Sequence, residues 1–206
     1  MEASLIASAE TSVITVGPSL FGGIWAKCGY DLLDKDGNPI RSWEGPSRSF
    51  MRNFGKFVRQ LLYVPDDTNE EYVNDAGVAK AFNIIDSSIS STGGVVVGTA
   101  EIAMGSSDTA VASDQYNLQG STFISPAVTT SLLVENDAEI RWKHESLWLN
   151  TGGSVTIKEI GLFAHLRQGN VASQNYRTMM MRDVVSDVVV ANGETVVGRY
   201  TFTAAV

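Results

Sequence analysis

Roughly the last thirty residues constrain this chain most. Residues 177–182, 184–190 and 195–204 read as three β-strands, the last two joined by Asn192-Gly193. Asn-Gly between apolar runs is a strong hairpin signal, because both central residues of a type I′ turn need φ > 0. Beyond it Val196, Gly198, Tyr200, Phe202 and Ala204 share one face, while Thr195, Arg199, Thr201 and Thr203 lie on the other. That two-residue period marks a half-buried strand. The chain ends as a β-sheet.

Earlier segments extend the pattern. Residues 13–16, 23–33, 40–43, 95–99, 131–134, 138–149 and 154–164 have strand character, and turn-forming residues separate them. Six or more short strands at such spacing predict two packed sheets. The expected fold is mainly β, an antiparallel β-sandwich of jelly-roll-like type, with residues 1–11 a flexible N-terminal arm and 12–206 a single domain. Gly45-Pro46-Ser47 should end the strand that starts at Ile40. Ile157 and Glu159 share one face while Ile160, Leu162 and Ala164 take the other, which predicts a β-bulge near Lys158 or Glu159. Asp36-Gly37 reads as a hairpin turn. A calcium loop starting at Asp34 would need Gly and Glu where Pro39 and Gly45 stand, so that reading fails. Cys28 is the only cysteine and lies in an apolar strand, where it serves as a small core residue.

One segment reads as an amphipathic helix, near residues 48–63. Phe50, Met51, Phe54, Phe57, Val58, Leu61 and Leu62 fall on a single helical face, and Ser47 or Ser49 can cap the first turn. Arg48, Arg52, Lys56 and Arg59 lie on the opposite face, four of the fifteen Lys and Arg residues. They are candidate partner-binding residues, with ordinary solvated surface as the alternative. Residues 66–75 read as an acidic, turn-rich loop, 78–85 as either helix or strand, and 108–121 as a polar surface loop.

Catalytic signals are scarce. The net charge of −8 argues against nucleic acid as the main partner, since that binding relies on Lys and Arg at phosphates. No apolar run has membrane-spanning length and no leader-like segment opens the chain, so a soluble protein folded in the cytoplasm is expected. There is no phosphate-cradling glycine motif and no Gly-x-Ser-x-Gly elbow. His144 reads as an outward strand residue and His165 as a loop residue at a strand end. Glu135, Asp137, Glu139, Glu145 and Glu159 are carboxylates of a kind that any acidic β-protein offers. No enzymatic activity, cofactor or metal is expected. Trp142 and Trp148 fit the core, with a sugar-stacking platform as the alternative. Charged residues make up 18% of the chain, against a globular average of about 25%. Weakly charged β surfaces suit contacts between proteins.

Several segments together resemble a loosely defined group of tailed-bacteriophage virion proteins. They are Gly45-Pro46-Ser47-Arg48-Ser49-Phe50 with Asn53-Phe54, Val97-Gly98-Thr99, Asp114-Gln115-Tyr116-Asn117-Leu118, Ile157-Lys158-Glu159-Ile160-Gly161-Leu162-Phe163-Ala164, Met181-Arg182-Asp183, Ala191-Asn192-Gly193-Glu194-Thr195 and Tyr200-Thr201-Phe202. The resemblance implies a non-enzymatic structural component of the virion, assembled in the host cytoplasm. It would be an adaptor or decoration protein of tail, neck or capsid whose partners are copies of itself and other virion proteins. Residues 1–11 and 108–121 would order on contact. The alternative is a carbohydrate- or receptor-binding module of a tail tip or fibre, with a host-surface glycan as partner.

Overall fold

Strand formation follows the alternation in the sequence, and two short turns set the first registers. A computed structural model describes residues 24–47, 49–56, 70–82, 95–124, 128–136, 138–168 and 176–205. The strands are β1 (Ile24–Leu33), β2 (Pro39–Ser47), β3 (Glu70–Val73), β4 (Ala79–Phe82), β5 (Val95–Gly105), β6 (Thr122–Ile124), β7 (Val128–Glu135), β8 (Glu139–Leu149), β9 (Val155–Gln168), β10 (Tyr176–Val190) and β11 (Thr195–Ala205). Between β1 and β2, Asp34 Oδ1 accepts the N–H groups of Asp36 and Asn38 at 2.9 and 2.8 Å. Asn74 does the same between β3 and β4, for Ala76 at 3.1 Å and Val78 at 2.7 Å. In both loops the residue three beyond the Asx is a glycine at positive φ, Gly37 at 85° and Gly77 at 77°.

The strands form two larger antiparallel sheets, ordered β2-β1-β11-β8-β7 and β10-β9-β5-β6, and a separate β3-β4 pair. The two larger sheets pack as a β-sandwich over one core. Ala26, Cys28, Tyr30 and Leu32 of β1 and Val196, Tyr200 and Phe202 of β11 meet Ile102 and Met104 of β5, Ile160 and Leu162 of β9, and Val185 and Val188 of β10. Burial pushes the Cys28 thiol well above its ordinary pKa, as expected of a core residue. Two tyrosine hydroxyls cross the core and join the sheets. Tyr30 donates to the Ser186 carbonyl at 3.0 Å and Tyr200 to the Ile160 carbonyl at 2.9 Å.

Asn192-Gly193 is not a hairpin turn. β10 pairs with β9 and β11 pairs with β1 and β8, so the dipeptide carries the chain from one sheet to the other. Only Gly193 has positive φ, 85°, and Glu194 N–H bonds the Ala191 carbonyl at 3.2 Å. Positive φ at the third turn residue alone fits a type II turn, which does not lock two strands side by side. The corner is clipped to the end of β8: Gly193 N–H donates to the Asn150 carbonyl at 2.8 Å, and Asn150 N–H to the Glu194 carbonyl at 2.9 Å.

Other expectations shift as well. The two strands expected over 177–190 are one, β10, with register breaks between Met179 and Met181 and between Val184 and Val188. The second break lies opposite Ile157 and Glu159, at the step where a bulge was expected, but its extra residues sit on β10. β2 continues through Gly45-Pro46-Ser47 because those residues pair with Ala26, Lys27 and Cys28. Glu70–Val73 is strand rather than loop, and Ala79–Phe82 is strand, while residues 83–85 lie outside the described residues.

The helix expected near 48–63 begins later. Phe50 bridges Met181, Met51 N–H donates to the Met180 carbonyl at 2.9 Å, and Arg182 N–H donates to the Ser49 carbonyl at 3.3 Å. These bonds to the β10 edge replace those of a first helical turn, and α-helix is described over 52–56 only. Ser47 does not cap it, since its hydroxyl donates to buried Asp183 at 2.6 Å. Residues 57–63 and the arm at 1–11 lie outside the described residues. Gly193→Ala should lower stability by about 1–2 kcal/mol, because a Cβ disfavours positive φ; urea denaturation of the two proteins measures the difference.

Candidate functional site

Charged residues inside apolar runs mark the place where this fold does something unusual. Glu159 on β9 and Arg182 on β10 point away from the main core, beneath the loop between β5 and β6. Both side chains are 0% exposed and meet at 2.7 Å, Arg182 Nε to Glu159 Oε2. The carboxylate also accepts N–H groups from Gln119 at 3.1 Å, Gly120 at 2.9 Å and Ser107 at 3.3 Å. The guanidinium donates its remaining bonds to Gln115 Oε1 at 2.9 Å and the Thr109 carbonyl at 3.0 Å. Gly105 makes room, since a Cβ there would collide with the carboxylate.

This arrangement fastens the loop. Every outer contact of the pair goes to residues 107–120, and the loop places Leu118 in a second core with Met51, Ala103, Phe163 and Met179. Residues 108–121 are therefore irregular, as expected, but anchored on a buried charge. The Glu159 carboxylate thus accepts from one guanidinium and three backbone N–H groups, all supplied from within the protein.

A second network lies on the same outer face. Glu101 bonds Arg177 Nε at 2.8 Å and His165 Nε2 at 3.0 Å, and Arg177 reaches Asp75 at 3.0 Å while its Cζ lies 3.5 Å over the Phe163 ring. Burial alone would raise the Glu101 pKa, but the hydrogen bonds from His165 and Arg177 outweigh it and hold the carboxyl below its ordinary value. His165 is a strand residue, not the loop residue expected, because β9 continues to Gln168. The network ties the β3-β4 turn to the four-stranded sheet.

The four basic candidates do not form one described patch. Arg48 and Arg59 lie outside the described residues. Arg52 is exposed, with its backbone N–H bonded to the Ser113 carbonyl at 3.0 Å, whereas the Lys56 ammonium donates to the Glu71 carbonyl. Asn53 between them is buried and bridges the Met179 and Val73 carbonyls. Trp142 and Trp148 are half-buried and packed on the core, Trp142 stacked on Phe202 at 5.3 Å and Trp148 against Phe123 at 4.9 Å. His144 shares their face. It is therefore turned inward rather than outward, bonded to Thr130 Oγ1 at 2.8 Å, and burial lowers its pKa. Among the described residues no group of three or more His, Cys, Asp or Glu is placed to hold a metal, and no helix is long and apolar enough to cross a membrane.

The outer face of the five-stranded sheet is the broadest candidate surface. Its charges pair among themselves: Lys27 with Glu44 at 2.9 Å, Arg141 with Glu139 at 2.7 Å, Lys143 with Glu145 at 2.7 Å, and Arg199 with Asp31. Exposed Leu147 and Leu149 lie beside half-buried Leu33 and Val197. With its charges paired, this face carries little net charge, and its exposed leucines give it the mixed, lightly apolar composition found at protein interfaces.

No family profile, curated protein or solved structure matches the chain. In the sequence, Glu159 stands out only as one of five carboxylates and Arg182 only within a resemblance segment. The available signal was a pair of adjacent opposite charges interrupting an apolar strand, Lys158-Glu159 before Ile160-Gly161-Leu162 and Arg182-Asp183 after Met179-Met180-Met181.

Arg182→Met should cost about 3–5 kcal/mol, because it leaves Glu159 buried and unpaired. Hydrogen exchange should show residues 107–120 losing protection first. The Arg199–Asp31 pair gives a pH-dependent effect. The hydrogen bond from Arg199 holds the Asp31 carboxyl below its ordinary value of 3.8, so the stabilisation is complete above that value and is lost as pH falls through the lowered one. Arg199→Met should therefore be less stable than wild type by about 1 kcal/mol at pH 7, and thermal unfolding should show the gap closing under strong acid.

Proposed function

We propose that this chain is a non-enzymatic structural component of a bacteriophage virion, an adaptor or decoration protein of tail, neck or capsid that works through repeated protein-protein contacts. One observation carries the reading. Residues from four of the segments that resemble virion proteins meet around β10: Ser47 bonds Asp183, Asn53 bonds the Met179 carbonyl, and Gln115 and Glu159 bond Arg182. The shared residues thus build a framework, which is what a group defined by a common scaffold would retain. The neutralised outer face of the five-stranded sheet supports the same reading, because its chemistry suits a protein partner. The inward setting of Trp142 and Trp148 gives the glycan-binding alternative no comparable support.

Mass spectrometry of gradient-purified particles from infected cells tests the proposal. Peptides of this chain at a fixed ratio to known virion proteins are expected, and a chain abundant in the lysate but missing from particles would refute it. For the exposed cation, Arg52→Glu should leave the melting temperature unchanged and reduce incorporation into particles; equal incorporation would assign Arg52 to ordinary solvated surface.

A further inference from the structure

The two larger sheets end in four edges, and three of them are blunted. β2 begins at Pro39 and contains Pro46, neither of which has an N–H to donate, and it carries Arg41 and Glu44. β10 is covered by residues 49–53 and by Asp75, whose N–H bonds the Arg177 carbonyl at 3.0 Å; farther along, Tyr30 and Arg41 donate to its Ser186 and Asp187 carbonyls. On the remaining edge of the four-stranded sheet, β6 is three residues long and β5 beyond it is broken in register between Val97 and Ala100.

Nothing among the described residues gives β7 any of these protections over its first five residues. Among the described residues its one strand neighbour is β8, and pairing runs unbroken from Val128 opposite Ser146 to Leu132 opposite Trp142. Residues 128–134 read Val-Thr-Thr-Ser-Leu-Leu-Val, without charge, proline or glycine, in a chain of net charge −8. Leu132 is 59% exposed and Leu133 44% exposed. An uncharged edge with an unbroken register over Val128 to Leu132 is a template for another strand.

We infer that β7 pairs edge to edge with β7 of a second copy, antiparallel about a two-fold axis at Thr130, a contact that deepens the assembly reading above and rests on it for its setting. Charge selects the occupant. In a −8 chain, most surfaces of two copies repel each other, whereas residues 128–134 approach their own image without repulsion. The strand is also its own complement in this register. Val128 faces Leu132 of the second copy and Thr129 faces Ser131, giving apolar and hydroxyl cross-strand pairs of the favourable kinds. Thr130 faces itself, and Glu135 lies beyond the paired stretch, so the two Glu135 side chains do not meet. The two five-stranded sheets become one continuous sheet through an isologous contact.

Light scattering of the full chain, from micromolar to millimolar, should show the mass doubling with concentration. Leu132→Lys places a charge on each side of the seam and should keep the protein monomeric over the same range, with circular dichroism and melting temperature unchanged. Thr130→Cys should form an intermolecular disulfide under mild oxidation, because antiparallel partners on the axis lie within disulfide reach and the native Cys28 is buried. Should Leu132→Lys misfold, the Thr130→Cys cross-link decides. A wild-type monomer throughout, an oligomer unaffected by Leu132→Lys, or a dimer that Thr130→Cys does not cross-link would overturn the inference. A monomer found in purified virions would remove this contact and leave the virion reading standing, while a β7 dimer absent from virions would do the reverse.

Discussion

The buried pair of Glu159 and Arg182 is the interaction on which the rest of the outer layer depends. Removing a carboxylate and a guanidinium from water costs several kcal/mol each, and their attraction offsets this only if the remaining donors and acceptors are also satisfied. Here they are satisfied by the loop between β5 and β6, through the N–H groups of Ser107, Gln119 and Gly120, the Thr109 carbonyl and the Gln115 side chain. An apolar pair of equal volume could fill the space as stably. It could not direct five polar groups of one loop to fixed positions, and that directionality explains how a long segment without strand or helix becomes part of the fold.

From this anchor the order spreads outward. The fastened loop lowers Leu118 onto Phe163 and Met179 and makes a second apolar cluster on the outside of the four-stranded sheet. Residues 49–53 lie along β10, so the edge that would otherwise be open is paired. The four-stranded sheet is thereby covered on its outer face around residues 178–183 of β10, while among the described residues no strand pairs with the β7 edge of the five-stranded sheet. The molecule is asymmetric in this respect. One side is locked by buried polar chemistry and the other is neutral and lightly apolar, a division that suits a part built to be covered by neighbours.

The alternation in β1, β8 and β11 was legible because each of these strands has one covered face, so side-chain polarity records the fold directly. The hairpin at Asp36-Gly37 was legible for an equally local reason, the Asp-Gly pair between two strand-like runs, and the Asx-x-x-Gly pattern that the structure shows there recurs from Asn74 to Gly77 between β3 and β4. β9 and β10 were harder. Where they are covered on both faces they have no polar side to report, and residues 178–183 are all buried. The site was less legible still, because Glu159, Arg182 and Gln115 look like ordinary surface residues until three separate segments bring them together. The helix was overextended because Phe50 and Met51 satisfy a helical period and a strand edge equally well, and the backbone partners on β10 decided between them.

By itself the sequence determined that this is a β-protein with a cysteine-bearing apolar core and short turns at fixed points. These properties follow from local periodicity, composition and turn stereochemistry, which act over a few residues. Tertiary structure alone decided that Asn192-Gly193 joins two sheets instead of two neighbouring strands. An apolar face can be buried equally well by continuing in the same sheet or by crossing to the opposite one, so the choice rests on which strand edges are already occupied. The same holds for the buried ion pair. Whether a charged residue in an apolar strand is exposed or enclosed depends on what the rest of the chain lays over it.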